Sequence, residues 1–137
     1  MGSTEEHGSH SPMGDYLATE EIALRVARET GDFVFPPLPF SYSEYFRHFP
    51  GTITLSTQLL HQFVWEVIEC LRGSSFRHIV LFNGHKGNEP TLLHLVRDLR
   101  RDIHYRTLFE SHYSVSWNDT GIRLPSLSRW SSRRNPN

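Results

Sequence analysis

The chain has 137 residues and a formal net charge of −1, with 14 basic side chains against 15 acidic ones. This length fits a single domain with one modest core, and the balanced charge excludes a field that would hold nucleic acid or an anionic membrane. The single cysteine, Cys70, excludes an internal disulfide and a cysteine-based metal site, which favours a reducing compartment. No apolar run reaches the ~18 residues of a membrane span and no signal-peptide pattern is found, so we expect a soluble, cytoplasmic protein.

The amino-terminal part of the chain divides into a polar loop and a helix. Residues 1–16 are crowded with Gly, Ser, His, Glu and Pro and lack an apolar period, which predicts an irregular loop. Residues 17–30 present a mostly apolar face and predict a helix, with Thr19 as its N-cap and Gly31 as its terminator.

The middle of the chain predicts a short strand, a long loop and a second helix. Residues 32–35 are β-branched and aromatic and predict the strand, and Pro36-Pro37 after it predicts an extended loop that runs to about Gly51. Residues 56–72 predict the helix, because their apolar side chains recur at helical spacing and Gly73 follows. These side chains are Leu59, Leu60, Phe63, Val64, Val67, Ile68 and Leu71.

The next elements indicate a parallel sheet. The apolar run at 78–82 predicts a central strand covered on both faces and ended by Asn83-Gly84. Asn88 is expected to cap a third helix, and residues 103–109 predict a following strand. The third helix is predicted to bury Leu92, Leu93, Leu95, Val96 and Leu99. This alternation predicts an α/β domain with a largely parallel sheet, whereas residues 117–137 lack any period and predict a poorly ordered end.

Two of the polar loops carry side chains of the types that bind metals. Glu5-x-His7 and Asp15 lie in the first loop, and His85 follows the predicted central strand, where the loops of a parallel sheet form its ligand-binding crevice. Imidazole and carboxylate together suit zinc, manganese or iron. Asp15 is the candidate to bridge two ions, and a pair about 3.5–4 Å apart would activate a shared water and polarise an amide carbonyl.

Each of these features also has a structural interpretation. A Glu-x-His pair in a polar loop is usually solvated surface, and His85 could simply bond to backbone. Six further histidines are predicted to be structural or exposed and are left out of the metal site: His10, His48, His61, His94, His104 and His112. The sequence identifies no catalytic general acid.

Four separated stretches of this sequence resemble the creatininase (creatinine amidohydrolase) family. The first is Gly-Ser-Thr-Glu-Glu-His-Gly-Ser-His-Ser-Pro-Met-Gly-Asp at 2–15, and the others are Pro-Pro-Leu-Pro-Phe at 36–40, Phe-Pro-Gly-Thr-Ile at 49–53 and Ile-Val-Leu-Phe-Asn-Gly-His-x-Gly-Asn at 79–88. They occur in the family's order and approximate spacing. The resemblance covers residues 2 to about 113.

The resemblance implies a three-layer α/β/α fold and a homo-oligomer. It also implies a metal-dependent amidohydrolase that cleaves a C–N bond of a cyclic amide or formamide, such as creatinine, with metal-activated water. By this analogy Glu5, His7, Asp15 and His85 are the metal ligands. Two ions would occupy the site, with zinc as the first candidate and manganese or iron as alternatives.

Departures from the family pattern bear on activity. Some members have a metal-binding glutamate two residues after the histidine, where this chain has Gly87, and Glu89 is assigned to the helix dipole instead. The family's leading strand and its downstream His-Ala-Gly-x-x-Glu-Thr-Ser stretch are not matched. We therefore expect a partial amidohydrolase domain over 1–113 and an irregular tail over 114–137. The alternatives are a non-catalytic fragment that associates with a complete homologue, and a simple metal-binding module.

Overall fold

A computed structural model of the chain describes residues 1–76, 78–99 and 106–111. The helices are α1 (Gly14–Thr30), α2 (Thr57–Gly73) and α3 (Glu89–Leu99), and the strands are β1 (His78–Asn83) and β2 (Arg106–Ser111). Short 3-10 turns occupy Glu44–Phe46 and Lys86–Asn88. This order of elements confirms the predicted α/β class. Within the described ranges, no helix is long and apolar enough to cross a membrane.

The two strands form a parallel pair whose carboxyl ends lie beside the start of the chain. His78 pairs with Arg106 at one end of the ladder and Asn83 with Ser111 at the other. On the opposite edge of β1, the Met1 nitrogen donates to the Phe82 carbonyl, and the Met1 carbonyl accepts from the Gly84 N–H at 2.8 Å. These two bonds repeat the parallel-ladder pattern around Asn83. The polar residues after Met1 therefore lie at the carboxyl edge of the sheet.

Helices α2 and α3 supply the hydrophobic core. One stripe from each helix is buried, and the side chains that meet there are Leu60, Val64, Ile68, Leu92, Leu95 and Leu99. Burying each of them stabilises the fold by roughly 1.5–3 kcal/mol. Leu93 was predicted to join them but is 40% exposed, because its side chain leaves α3 on the far side of that stripe.

The predicted boundaries of the first helix are wrong at its start and confirmed at its end. Helix α1 begins at Gly14 and not at Leu17, so Thr19 lies inside it. The Thr19 hydroxyl donates to the Asp15 carbonyl at 2.6 Å instead of capping the helix. Gly31 ends the helix as predicted, with φ at 75° and its N–H bonded to Ala27.

The strand predicted at 32–35 is wrong. These residues pair with no strand in the part of the chain that the structure describes, and Phe33 is 83% exposed. Pro36 and Pro37 lack amide hydrogens, which removes two of the donors that a strand continuing there would need. The predicted strand at 103–109 is observed as β2, Arg106–Ser111, and the tail at 114–137 lies outside the described residues.

Candidate metal centre

The first loop is held as an extended segment between two other parts of the chain. The Ile53 N–H donates to the Thr4 carbonyl at 3.0 Å, and the Ser41 hydroxyl donates to the Gly2 carbonyl at 2.6 Å. Side chains alternate along an extended segment, so Glu5 points away from the side chain of Thr4. Glu5 is 3% exposed, which excludes the interpretation of this carboxylate as solvated surface.

Helix α1 positions the second carboxylate. Asp15 lies in the first turn of α1, where the helix dipole favours a negative charge. Its Oδ2 accepts from the Ser3 hydroxyl at 3.1 Å. Ser3 is fully buried, so this bond ties the orientation of the Asp15 carboxylate to the first loop.

A buried amide network fixes the turn that carries His85. The Asn83 side chain donates to the His85 carbonyl at 2.8 Å and accepts from the Asn88 amide at 3.1 Å. Asn88 in turn accepts from the Tyr42 N–H at 3.2 Å. Both asparagines are fully buried. The predicted capping role of Asn88 is therefore wrong, because its amide is used to join β1 to the segment around Tyr42.

The His85 ring faces both carboxylates. Its Nδ1 lies 2.8 Å from Asp15 Oδ2 and 3.5 Å from Glu5 Oε1. Its Nε2 lies 2.8 Å from the Tyr42 carbonyl oxygen, which can only accept, so Nε2 carries a hydrogen. In the neutral ring, Nδ1 then carries a lone pair that is directed at the two carboxylates. Only a proton or a cation between these groups makes that arrangement favourable.

These residues fit a divalent metal ion. Ligand atoms of Glu5, His7 and Asp15 all lie within 4.8 Å of one another, and His7 Nε2 donates to Glu5 Oε1 at 3.1 Å. Glu5 Oε2 is buried and has no hydrogen-bond partner among the described residues, although an unsatisfied buried carboxylate oxygen is costly. A histidine that donates its other ring N–H to a backbone carbonyl is the usual support for a metal ligand.

Gly87 explains why this turn offers no further ligand. A Cβ at this position would lie 2.5 Å from both His85 Nε2 and the Tyr42 carbonyl oxygen. Any larger side chain would therefore break the bond that fixes the His85 ring. Glu89 begins α3 in its first turn, as predicted for a residue that interacts with the helix dipole.

The structure brings Glu5, His7 and Asp15 together and places His85 against two of them, but sequence reasoning missed the residues that support these four. Ser3 belongs to the Gly-Ser motif, yet nothing in the motif indicates its bond to Asp15. Tyr42 acts through its backbone carbonyl and leaves no side-chain signal. The pairing of Asn83 with Asn88 needs the close approach of the strand end and the 3-10 turn.

In the metal-free protein, the pKa of His85 is raised above its ordinary value. Burial lowers this pKa, but the hydrogen bond with Asp15 and the charge of Glu5 raise it more. Because the folded pKa exceeds the unfolded one, protonated His85 contributes stability below the unfolded pKa of about 6.5. That contribution is lost as the pH rises through the folded pKa.

We therefore expect metal-free wild-type protein to lose part of its unfolding free energy as the pH rises from about 6.5 through the higher folded pKa of His85. His85→Gln should lack this component, because glutamine does not titrate. Urea unfolding in the presence of a chelator measures both proteins. Parallel pH profiles for the two would contradict the assignment, and zinc should reverse the trend in wild type, since metal binding requires deprotonated ligands.

Comparison with known proteins identifies a family. The Creatininase family, described as creatinine amidohydrolase, matches residues 1–131. A 3-dehydro-scyllo-inosose hydrolase from Thermotoga maritima is 33% identical over 87 residues, which are 62% of this chain and 28% of that protein. A mycofactocin precursor peptide peptidase from Mycolicibacterium smegmatis is 33% identical over 109 residues, which are 73% of this chain and 43% of that protein.

Solved structures resemble this fold closely. A crystal structure of creatinine amidohydrolase (creatininase) and a structure named "Creatininase Mn" both superpose with a TM-score of 0.74 at 30% identity. Each match covers 82% of this chain and 48% of the solved chain. The chain thus spans less than half the length of these relatives.

Proposed function

The chain belongs to the creatininase (creatinine amidohydrolase) family, and from this premise we propose that it is a metal-dependent amidohydrolase domain that cleaves a C–N bond of a small amide. A cyclic amide or formamide, such as creatinine, is the proposed substrate class. The convergence of Glu5, Asp15 and His85 Nδ1 on one point supports this proposal most strongly, because it creates a site for a cation at the carboxyl edge of the sheet.

Glu5, His7, Asp15 and His85 would hold the metal, with Asp15 as the proposed bridge between two ions. When bound, divalent metal supplies a polarised substrate carbonyl and a lowered pKa for water. Imidazole and carboxylate ligands suit zinc, with manganese or iron as alternatives, and a solved relative carries manganese in its name.

The protein's own side chains prepare the site in advance. Ser3 donates to Asp15 Oδ2, the same oxygen that faces His85 Nδ1, and so fixes the orientation of this carboxylate toward the site. The Tyr42 carbonyl keeps the hydrogen of His85 on Nε2, so Nδ1 presents its lone pair to the site. His7 is the more exposed of the two proposed histidine ligands, with 26% of its side chain accessible against 8% for His85.

Hydrolysis of small amides by the metal-loaded protein tests the proposal. Zinc- and manganese-loaded wild type is incubated with creatinine, other lactams and formamides, and release of the ring-opened acid or formate is followed by NMR. We expect turnover that chelator abolishes and that Asp15→Asn lacks. His48→Ala serves as the control, because this exposed histidine lies outside the site.

A peptide is the second candidate substrate, supported by the match to a peptide peptidase. A peptide bond is also a C–N amide bond, so the same ligands would serve, and short peptides belong in the same assay. Metal binding without hydrolysis of any amide would favour the simple metal-binding module. A folded protein that binds no metal would favour the non-catalytic fragment.

The compartment and assembly complete the proposal. We propose that the protein is a homo-oligomer, as the family resemblance implies. We also propose that it is cytoplasmic, because its lone cysteine, Cys70, is free and exposed. Light scattering coupled to size exclusion should give a mass of at least two chains.

A further inference from the structure

A second group of metal-binding side chain types lies between helices α2 and α3. His61 comes from α2, and His94 and Asp98 lie one turn apart on α3. His94 Nδ1 is 3.1 Å from Asp98 Oδ2, and His61 Nε2 is 3.5 Å from the same oxygen. None of these residues belongs to the elements that carry Glu5, His7, Asp15 and His85.

The donor atoms have the spacing of ligands around one ion. Donors about 2.0–2.1 Å from a tetrahedral zinc ion lie roughly 3.3 Å from each other. The two measured distances bracket this value, and one ligand atom from each of the three residues lies within 4.8 Å of the others. Two imidazoles and a carboxylate are a common three-residue set for zinc, with a fourth position left for water.

The surroundings hold His61 in place but leave its donor atom unsatisfied. His61 stacks on Trp65 at a centroid separation of 6.1 Å, and its Nε2 is buried. That nitrogen has no hydrogen-bond partner among the described residues, because its contact with Asp98 does not meet hydrogen-bond geometry. A buried imidazole nitrogen that faces a carboxylate oxygen at 3.5 Å without a hydrogen bond is placed to share a cation with it.

We propose that His61, His94 and Asp98 form a second metal site, for a divalent transition ion such as zinc, which links α2 to α3. The inference is independent of the proposed hydrolysis. These two helices supply the hydrophobic core, so the ion would clamp the pair at the edge of their buried contact. Its expected role is structural, and no substrate pocket is invoked.

Zinc titration of four purified proteins tests this proposal: wild type, His94→Ala, Asp98→Asn and His48→Ala. His94 is suited to replacement because 70% of its side chain is exposed, so the variant should fold. Competition with a chromophoric chelator gives the number of zinc equivalents and their affinities, and thermal unfolding with and without zinc gives the stabilisation.

We expect wild type and His48→Ala to bind the same number of zinc equivalents. His94→Ala and Asp98→Asn should weaken one equivalent by more than about tenfold, because loss of a mere supporting partner already costs about 10–100-fold. Their zinc-dependent gain in melting temperature should shrink in parallel, while the affinity of the remaining equivalents stays unchanged.

Unchanged zinc stoichiometry and affinity in folded His94→Ala would overturn the proposal and leave these residues as an ordinary ion pair. Circular dichroism establishes folding for each variant. If Asp98→Asn proves unfolded, His94→Ala decides the question alone. A His85→Ala variant that loses the other equivalents and retains this one would separate the second site from the proposed catalytic one.

Discussion

Replacing His85 with alanine is expected to weaken zinc binding at the candidate metal centre by more than about 100-fold. Loss of a residue that only supports a metal ligand already costs about 10–100-fold in affinity, and His85 is proposed as a direct ligand. The change removes the neutral donor Nδ1, which lies 2.8 Å from Asp15 and 3.5 Å from Glu5. Two carboxylates then face each other without the imidazole that completes the site. Calorimetric zinc titration at neutral pH measures the loss.

His85→Ala should still fold. The side chain is buried and its loss leaves the Tyr42 carbonyl without its partner, so unfolding free energy should fall by about 1–3 kcal/mol. The strand and the following helix do not depend on the ring, because the Asn83 and Asn88 amides hold the turn. His48→Ala is the matched control and should bind zinc like wild type. Wild-type affinity in His85→Ala would remove His85 from the site.

A second large effect is expected at Gly84. A Cβ on this residue would lie 1.8 Å from the Thr19 hydroxyl oxygen and 3.2 Å from the Asp15 carbonyl oxygen. Gly84→Ala must therefore displace Thr19 of α1 from the end of β1, at a cost of about 3 kcal/mol, the upper end for overpacking. Because Asp15 lies in the first turn of that helix, zinc affinity should fall together with stability.

The Gly84 prediction has both a control and a rescue. Gly73→Ala adds the same methyl group where nothing lies within 4 Å, so its unfolding free energy should change by no more than about 1 kcal/mol, toward greater stability. Combining Gly84→Ala with Thr19→Ala removes the nearest clashing atom and should recover part of the loss, a non-additive result. Urea unfolding of Gly84→Ala, Thr19→Ala, the double variant and Gly73→Ala gives the comparison, and a stable Gly84→Ala with wild-type zinc affinity would contradict the packing argument.

The sequence predicted the parts of the fold that local physics determines. Apolar periodicity identified the helices, and Gly31 ended α1 as expected because only its backbone adopts the left-handed conformation without strain. The apolar run at 78–82 predicted β1. The strand expected at 32–35 did not form, because its composition said nothing about whether a neighbouring strand would be available.

The predicted ligands came together, but the contacts that position them depend on distant parts of the chain. Thr19 and Asn88 are residue types that often cap helices. In the fold, however, the Thr19 hydroxyl donates to the Asp15 carbonyl, and the Asn88 side chain bonds to Asn83 and Tyr42. The cluster of His61 with His94 and Asp98 could likewise not be predicted from the sequence, since helix periodicity does not give the rotation of α2 against α3. Whether the four converging residues bind metal stays a prediction.

Anomalous X-ray scattering from zinc-soaked crystals tests the central claim most directly, because it locates the ion and not merely its stoichiometry. We expect an anomalous peak for an ion about 2.0–2.2 Å from ligand atoms of Glu5, Asp15 and His85. A second peak is expected beside His7, for the ion that Asp15 would share. Asp15→Asn crystals should lose the first peak. Zinc-saturated crystals with intact side chains and no anomalous peak between these residues would contradict the proposed metal centre, and with it the amidohydrolase function.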